Sequence, residues 1–324
     1  GNPALPGQAP PYSVPYSVPG MGTQRDASVL ATFLPRGVHA LHGAALPAGE
    51  LHEGCVLFAD VAGFTALSER LQSLGREGAE ELTFTLNRYF TDMIRILDEH
   101  GGDVVKFGGD AMTVIFPGDR GERAAACAAV MQAAMEPFAA FDTRGGVCTL
   151  AMKIGIAHGL IYLGVVGTAR RREVVLTGAP VDGCADAEHH AEKGWVVLHP
   201  GVPAVHRLLC ETPHGGYFRL RIEETPALVV RPPVLPAPPE AALLATYVPE
   251  GLAETLTQMA PESVGGHRDV VIGFLSFANQ DCVAGREAVN ALQLFTERLE
   301  FHLERFGGAL NKLDMGDKGS KAVL

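Results

Sequence analysis

Apolar residues along the chain change their spacing in a way that marks out separate strands and helices. A continuous apolar run at 55–60 predicts a buried strand, and apolar residues three and four apart across 67–100 predict a long helix that is interrupted near 75–78. Two further apolar runs at 104–107 and 112–116 flank a glycine-rich turn, a pattern that is typical of a β-hairpin. The first part of the chain is therefore predicted to run strand, helix, strand, strand.

The next segment continues this alternation of helices and strands. An alanine-rich stretch at 124–138 predicts a helix, and alternating apolar residues at 149–158 predict a strand. The remaining predicted elements are strands at 160–166, 173–176 and 195–198 and a helix at 185–192. The order strand–helix–strand–strand–helix–strand is that of a ferredoxin-like split unit, so we expect an α+β fold (an α/β sandwich) with extra strands.

The end of the chain repeats the opening order after a proline-rich interruption. A strand at 269–277, a helix at 288–306, a Gly-Gly stop and a strand at 310–313 follow the prolines of 224–250. We therefore expect a second, incomplete copy of the first fold. The predicted organisation is a disordered proline-rich tail at 1–26, a first domain at 27–210, a linker or arm at 211–264 and the N-terminal part of a second domain at 265–324.

The composition narrows the class of protein. Of the 324 residues, 47% are hydrophobic and 19% are charged, which permits large cores, and the net charge of −11 argues against a nucleic-acid-binding protein. The six cysteines are scattered without a C-x-x-C pair, which favours reduced thiols and a cytoplasmic location. No apolar run approaches the about 20 residues that a membrane span needs, so we expect no membrane span.

Two acidic residues stand in strand-like segments beside glycines. Asp60 ends the first predicted strand and precedes the turn at 62–65, and Asp110 follows Gly108-Gly109 in the predicted hairpin turn. Singly, each acid is more typical of a helix cap or an ordinary turn. Together they favour a site for Mg²⁺ and a nucleoside triphosphate, because carboxylates and phosphates are the ligands that Mg²⁺ takes. Backbone N–H groups at the start of the following helix suit phosphate oxygens.

These segments resemble the two metal-binding motifs of class III nucleotidyl cyclases. The motifs here are FADVAGFT at 58–65 and KFGGD at 106–110, in the usual order and at the usual separation. The resemblance continues in 174–188 and covers roughly 51–210. With the linker and the partial second domain, the chain is most similar to the soluble, bicarbonate-responsive type of adenylyl cyclase, which has two unequal cyclase domains.

The resemblance implies a conversion of ATP to cyclic AMP and pyrophosphate at a site between two cyclase domains paired within the chain. It implies that Asp60 and Asp110 are catalytic and hold two Mg²⁺ or Mn²⁺ ions, with the Val61 carbonyl also on a metal. The ions would lower the pKa of the 3′-hydroxyl, whose oxygen then attacks the α-phosphorus in line. The substrate-binding residues that it implies are Val61, Ala62, Gly63, Phe64, Thr65, Lys106, Gly109 and, against adenine, Lys318 of the second domain.

The chain departs from the pattern of this family in both predicted domains. Family members carry an asparagine for the ribose and an arginine for the transition-state phosphate, and Asp182 and Asp186 occupy the matching positions. Ser276 and Ser320 of the second domain stand where the two metal aspartates would fall. We therefore expect each domain to supply one half of a shared site. A regulatory nucleotide-binding pseudocyclase without turnover and a guanylate cyclase remain as alternatives.

Two polar features outside the motifs are predicted to be structural. His158 precedes a glycine at a predicted strand end, where a structural role is more typical than a catalytic one. The cluster Arg170-Arg171-Arg172 lies between two predicted strands, and we expect a solvated turn there rather than a contact with phosphates.

Overall fold

A computed structural model describes most of the chain between residues 24 and 324. The described residues are 24–41, 44–206, 208, 210–212, 215–226, 228, 239–249, 252–253, 270–278, 280–316 and 319–324. The predicted tail at 1–26 lies outside them except for its last three residues, and Lys318 also lies outside them. Among the described residues, no helix is both long and apolar enough to cross a membrane.

The helices and strands follow each other much as the apolar pattern predicts. The α-helices are α1 (Gln24–Ala31), α2 (Phe64–Gln72), α3 (Arg76–Glu99), α4 (Glu122–Ala133), α5 (Ala179–His189), α6 (Ala241–Ala245) and α7 (Arg286–Arg305). The strands are β1 (Ala48–Ala62), β2 (Asp103–Gly108), β3 (Ala111–Pro117), β4 (Phe141–Thr143), β5 (Gly146–Cys148), β6 (Ala151–Gly167), β7 (Arg172–Thr177), β8 (Val196–Leu198), β9 (Cys210–Glu211), β10 (Phe218–Leu220), β11 (Phe274–Phe277), β12 (Lys312–Asp314) and β13 (Ser320–Val323).

The main sheet has the order β2-β3-β1-β6-β8-β10-β9, and β7 also pairs with β6. β1 is antiparallel to both of its neighbours, β3 and β6. β1 connects to β2 through α2 and α3, and β3 lies between these two strands in the sheet. This is the split βαβ arrangement of a ferredoxin-like unit, so the predicted α+β order is confirmed.

The two faces of β1 pack against different parts of the molecule. Its alternate residues Cys55, Leu57, Ala59 and Val61 belong to a core cluster that also contains residues of α2, α3 and α4. Val56 belongs to a second cluster on the opposite face, and Phe58 packs against that cluster. Because side chains alternate along a strand, Asp60 lies on the face of Val56 and Phe58, away from those helices.

Several boundaries differ from the predictions, and three of these differences bear on the site or on the domain limits. The strands expected at 149–158 and 160–166 form the single strand β6, because β1 pairs along all of it from Ala48 opposite Val165 to Ala62 opposite Ala151. His158 therefore lies inside a strand and not at its end. α5 begins at Ala179 with a proline in its first turn, where a missing N–H costs no helical hydrogen bond. β9 and β10 extend the main sheet past residue 210, into the range assigned to the linker.

A second, smaller sheet has the order β11-β13-β12 and is antiparallel throughout. It packs together with α7 against β6 and β7 of the main sheet. The shared apolar cluster joins Tyr162, Val166 and Val175 of the main sheet to Leu292 of α7 and Leu313 of β12. Gln293 of α7 also exchanges two hydrogen bonds with the backbone of Gly167, at 2.9 and 2.6 Å. The C-terminal elements are therefore joined to the main sheet by an apolar and hydrogen-bonded interface.

Candidate active site

The end of β1 and the turn between β2 and β3 meet at one end of the main sheet. β1 pairs with β3 as far as Ala59, which lies opposite Met112. The next residue of β1, Asp60, therefore lies beside the turn that carries Asp110. Both acids are half-buried. Burial raises the pKa of Asp110 above its ordinary value, and the charge of Asp60 raises it further. The sheet thus brings the two predicted site acids together.

The chain leaves β1 through a glycine that starts α2. Gly63 has a φ of 101°, in the left-handed region, and no side chain caps the first N–H groups of α2. A Cβ at Gly63 would collide with the carbonyl oxygen of Thr149, so only glycine suits this bend. Asp60 is therefore not a capping residue of α2. The partly exposed residues 62–65 present uncapped backbone donors next to the acid pair.

The other predicted residues of the two motifs, apart from Lys106, lie around the acid pair. The side chain of Val61 is buried in the main core, which leaves its backbone atoms for the predicted role. Phe64 packs against the same core, whereas Thr65 is exposed. Gly109 has a φ of 77° and open space where a Cβ would lie, so it bends the hairpin immediately before Asp110.

Lys106 faces the interface between the two sheets. It lies opposite Thr113 in the main sheet, and its ammonium group forms an ion pair with Asp314 of β12. Lys312 of β12 takes the corresponding place in the second sheet, opposite Val323. Lys312 is not among the site residues predicted from the sequence. The internal repeat is the signal that identifies it, once the registers of the two sheets are compared.

Tyr89 is another polar residue that was not predicted from the sequence. It lies on α3 in the predicted apolar stripe, is 2% exposed, and its hydroxyl has no hydrogen-bond partner. Burial raises the pKa of Tyr89, and the charges of Asp110 and Asp60 raise it further. The signal in the sequence is one hydroxyl within a stripe that is otherwise apolar.

The acid pair offers the type of ligands that a magnesium ion needs. Two carboxylates and a backbone carbonyl are hard oxygen donors, which suit Mg²⁺ or Mn²⁺ when phosphate or water completes the coordination. Within the described residues, no group of three or more His, Cys, Asp and Glu side chains is placed to hold a metal. No basic group is among the charges that act on Asp110. The residues therefore fit a divalent ion that shares its coordination with a phosphate-bearing ligand.

The arginine cluster does not form the solvated turn that the sequence predicts. Arg171 is 8% exposed and forms an ion pair with Glu173. It also donates hydrogen bonds to the backbone oxygens of Leu310, at 3.1 Å, and Asn311, at 2.7 Å. The prediction was wrong for Arg171 because the segment that leads into β12 covers it. Arg170 is exposed, as expected, and pairs with Glu304 of α7.

A cavity of about 880 Å³ lies between the main sheet, the N-terminal segment and β12. It is lined on its polar side by Arg36, Lys106, Arg172, Glu173 and Lys312, among others. Neither aspartate of the acid pair lines it. The cavity and the acid pair are therefore distinct features.

The two acids that depart from the pattern of the cyclases lie on α5. Asp182 is half-buried in the first turn and lines a smaller cavity of about 180 Å³ together with Asp281 and Gly316. Asp186, one turn later, is exposed. Asp182 is thus part of a hollow between the two sheets that lacks the paired aspartates of the first site.

Most of the main sheet matches one known protein family. Residues 46–214, more than half of the chain, match the family described as the adenylate and guanylate cyclase catalytic domain. Among solved structures, the guanylyl cyclase domain of the RhoGC fusion protein from the aquatic fungus Blastocladiella emersonii is 19% identical, with a TM-score of 0.46. That likeness covers 54% of this chain and 98% of the other.

Similar proteins of known name include two adenylate cyclases. Adenylate cyclase type 10 of Oryctolagus cuniculus is 29% identical over 158 residues, which cover 48% of this chain and 10% of that protein. An adenylate cyclase of Anabaena cylindrica is 27% identical over 159 residues, which cover 47% of this chain and 30% of that protein. The matched part of the chain thus spans about a tenth of the length of the first relative and less than a third of the second.

Proposed function

The chain belongs to the adenylate and guanylate cyclase catalytic domain family, and we propose that it is an adenylate cyclase, which converts ATP into cyclic AMP and pyrophosphate. The observation that carries this proposal is the meeting of Asp60 and Asp110 beside the uncapped start of α2. The two curated relatives described above are named adenylate cyclases, which supports ATP over GTP as the substrate.

In this proposal the chain acts by positioning and by charge. Asp60, Asp110 and the carbonyl of Val61 hold two Mg²⁺ or Mn²⁺ ions. When bound, the ions offset the charge of the triphosphate and favour ionisation of the 3′-hydroxyl. The N–H groups of 62–65 bind phosphate oxygens at the positive end of α2, and Gly109 allows the turn that presents Asp110. The 3′-oxygen attacks the α-phosphorus in line and pyrophosphate leaves, without a covalent enzyme intermediate.

We further propose that 265–324 is the N-terminal part of a second cyclase domain that pairs with the first within the chain. The support is the shared strand order of the two sheets and the apolar interface between them. Ser276 and Ser320 occupy the positions of the two aspartates, so this half supplies contacts to the base and ribose and holds no metal. Contact between Lys318 and adenine is part of the same proposal, although that residue lies outside the described part of the chain.

One observation favours a second candidate function, a regulatory nucleotide-binding pseudocyclase without turnover. An acid at the arginine position of α5 repels the charge that develops on phosphate, and Asp186 stands there. Asp182 likewise replaces the asparagine for the ribose. If the first domain had to supply both halves of the site, these acids would prevent turnover. A shared site with a second domain avoids this conflict, which is why we prefer the enzyme.

The test is to measure cyclic AMP and cyclic GMP formed by the full-length protein that contains these 324 residues, with Mg²⁺ or Mn²⁺. Cyclic AMP from ATP, with little product from GTP, supports the proposal. Cyclic GMP as the main product would make the protein a guanylate cyclase instead. Metal-dependent binding of ATP without either product would turn the assignment to a pseudocyclase.

A further inference from the structure

A lysine lies directly across the sheet from the first residue of the acid pair. Asp60 of β1 is paired with Lys153 of β6. Met152 and Ile154, the neighbours of this lysine along β6, belong to the core cluster that contains residues of α2, α3 and α4. Lys153 therefore points to the other face, where Asp60 lies. Directly paired residues of an antiparallel sheet hold their Cβ atoms about 4.5–5.5 Å apart, so the lysine side chain is long enough to reach the carboxylate opposite.

The ion pair of this lysine is formed with a different residue. The ammonium group of Lys153 lies 2.6 Å from a carboxylate oxygen of Glu188, in the last turn of α5. The side chain of Glu188 is 5% exposed and that of Lys153 is 22% exposed. Among the ion pairs between residues that the structure describes, none includes Asp60. The lysine thus pairs with the helix above the sheet and not with its neighbour in the sheet.

The close packing of α5 on β6 determines this choice of partner. Gly155 lies two residues after Lys153 and therefore on the same face of β6. A Cβ at Gly155 would collide with the backbone of Cys184 and Glu188, so the glycine lets α5 approach the strand closely. Cys184 also belongs to the apolar cluster on that face of the sheet. The position of α5 thus brings the carboxylate of Glu188 to the ammonium group of Lys153.

We propose that Glu188 is a positioning residue for the metal site, which holds the ammonium group of Lys153 away from Asp60 and so keeps that carboxylate free for a divalent ion. This inference rests on the proposed metal role of Asp60. A partly buried ammonium group that loses its partner gains by pairing with another carboxylate, and Asp60 is the one that the sheet places opposite it. A lysine on Asp60 would compete with the ion for the same oxygen atoms.

The first readout is the affinity for Mn²⁺ alone, followed by the electron paramagnetic resonance signal of the free ion. Glu188→Gln keeps the size of the side chain and removes its charge, and it is expected to weaken Mn²⁺ binding about fivefold, because Lys153 then pairs with Asp60. The double variant Lys153→Met/Glu188→Gln removes the competing cation as well and is expected to bind Mn²⁺ as the unaltered protein does. Unchanged affinity in Glu188→Gln, or an equal loss in the double variant, would overturn the inference.

The chain offers a matched control in Glu173. Like Glu188 it is almost fully buried, with 6% of the residue exposed against 4%, and it pairs with a basic side chain, that of Arg171. Arg171 donates hydrogen bonds to the segment that leads into β12 and does not lie opposite Asp60 in the sheet. Glu173→Gln is therefore expected to leave Mn²⁺ affinity unchanged. Equal weakening in Glu173→Gln and Glu188→Gln would overturn the inference, because the loss would then follow from a change in any buried ion pair.

The second readout is thermal unfolding in the presence of EDTA, with Asp60→Asn introduced into two backgrounds. In the unaltered protein, Asp60 lies beside Asp110 and has no cationic partner, so the substitution is expected to leave the unfolding midpoint unchanged or to raise it by a few degrees. In Glu188→Gln, the same substitution removes the new partner of Lys153 and is expected to lower the midpoint by a few degrees. The same shift in both backgrounds would overturn the inference.

Two further comparisons keep the outcomes separate. If Glu188→Gln does not fold, Glu188→Asp replaces it in each comparison, because it keeps the charge but ends one methylene further from Lys153, and unchanged Mn²⁺ affinity there would likewise overturn the inference. Equal Mn²⁺ affinity of Asp60→Asn and the unaltered protein would overturn the metal site itself, whereas the outcomes above concern the role of Glu188 alone.

Discussion

The β1–β3 part of the main sheet and the second sheet have the same antiparallel strand order and differ in their acids. In the main sheet, Phe58 and Lys106 both lie opposite Thr113 of β3. In the second sheet, Phe274 and Lys312 both lie opposite Val323 of β13. The two registers therefore superimpose residue by residue. Asp60 follows Phe58 by two positions, as Ser276 follows Phe274. Asp110 precedes Thr113 by three positions, as Ser320 precedes Val323.

This difference separates what the fold requires from what the site requires. The second sheet keeps the strand order and the register without either acid, so strand pairing does not depend on a carboxylate at these positions. Two carboxylates close together repel each other, and burial raises the pKa of Asp110. The proposed metal role would account for these two acids in the main sheet, and the following predictions test that contrast.

The largest expected effect is a loss of activity when Asp60 is substituted, compared with substitution of Ser276 at the corresponding position of the second sheet. Asp60→Asn is expected to lower kcat about a thousandfold or more, because metal ions contribute several kcal/mol to stabilising a phosphoryl-transfer transition state. Ser276→Ala, at the corresponding position, is expected to change kcat less than about threefold. Rates of cyclic AMP formation at saturating Mn²⁺ measure both. Retention of activity in Asp60→Asn, or an equal loss in Ser276→Ala, would remove the distinction between the two sheets.

The next effect concerns the interface that joins the two sheets. Arg171→Met leaves the buried carboxylate of Glu173 without its ion-pair partner, and we expect a loss of about 3 kcal/mol in the free energy of unfolding. Arg170→Met removes an exposed pair with Glu304, and we expect a loss below about 1 kcal/mol. Urea denaturation of both variants at about pH 8, above the raised pKa of Glu173, measures the difference. Similar losses of unfolding free energy in Arg171→Met and Arg170→Met would mean that the buried ion pair does not hold the second sheet in place.

The sequence predicted the main sheet better than the relation between the two sheets. The apolar pattern located β1, β2, β3 and α3 because local spacing determines these elements, and the glycine contexts of Asp60 and Asp110 indicated the acid pair. Arg171 was missed because its burial results from a segment 140 residues further along the chain, which accepts its hydrogen bond at Asn311. No local pattern carries that information. Tyr89 was missed for a related reason. The helical spacing of apolar residues in α3 predicts that its ring is buried but gives no information about its hydroxyl.

A smaller effect should appear in the pH dependence of stability. Burial raises the pKa of Glu173 from 4.5 to about 7, against the opposing effects of Arg171 and of the N–H of Leu313. Because the folded protein then holds the proton more strongly than the unfolded chain, the stabilisation is fully present below about pH 4.5 and is lost as the pH rises through about 7.

The unaltered protein should therefore lose about 2 kcal/mol relative to Glu173→Gln between about pH 5 and pH 8. Urea denaturation at a series of pH values measures this difference. Glu300 also lies near Arg171 and has a pKa that burial raises. The variant Glu300→Gln therefore shows how much of the pH dependence of stability is due to Glu300. A difference between the unaltered protein and Glu173→Gln that does not vary with pH would contradict the prediction.

The smallest effect compares the glycines that precede the differing residues in the two hairpins. Gly109 has a φ of 77° and Gly319 a φ of 82°, and neither would bring a Cβ within 4 Å of another group. Alanine at either position is expected to cost about 1 kcal/mol of stability, because the left-handed conformation is unfavourable for a residue with a Cβ. Only Gly109→Ala should also raise the Mn²⁺ concentration needed for half-maximal rate, since it shifts Asp110 while Gly319→Ala shifts Ser320. If both variants alter the Mn²⁺ requirement equally, the second hairpin takes part in metal binding. Ser276 and Ser320 would then not mark a sheet without a metal role.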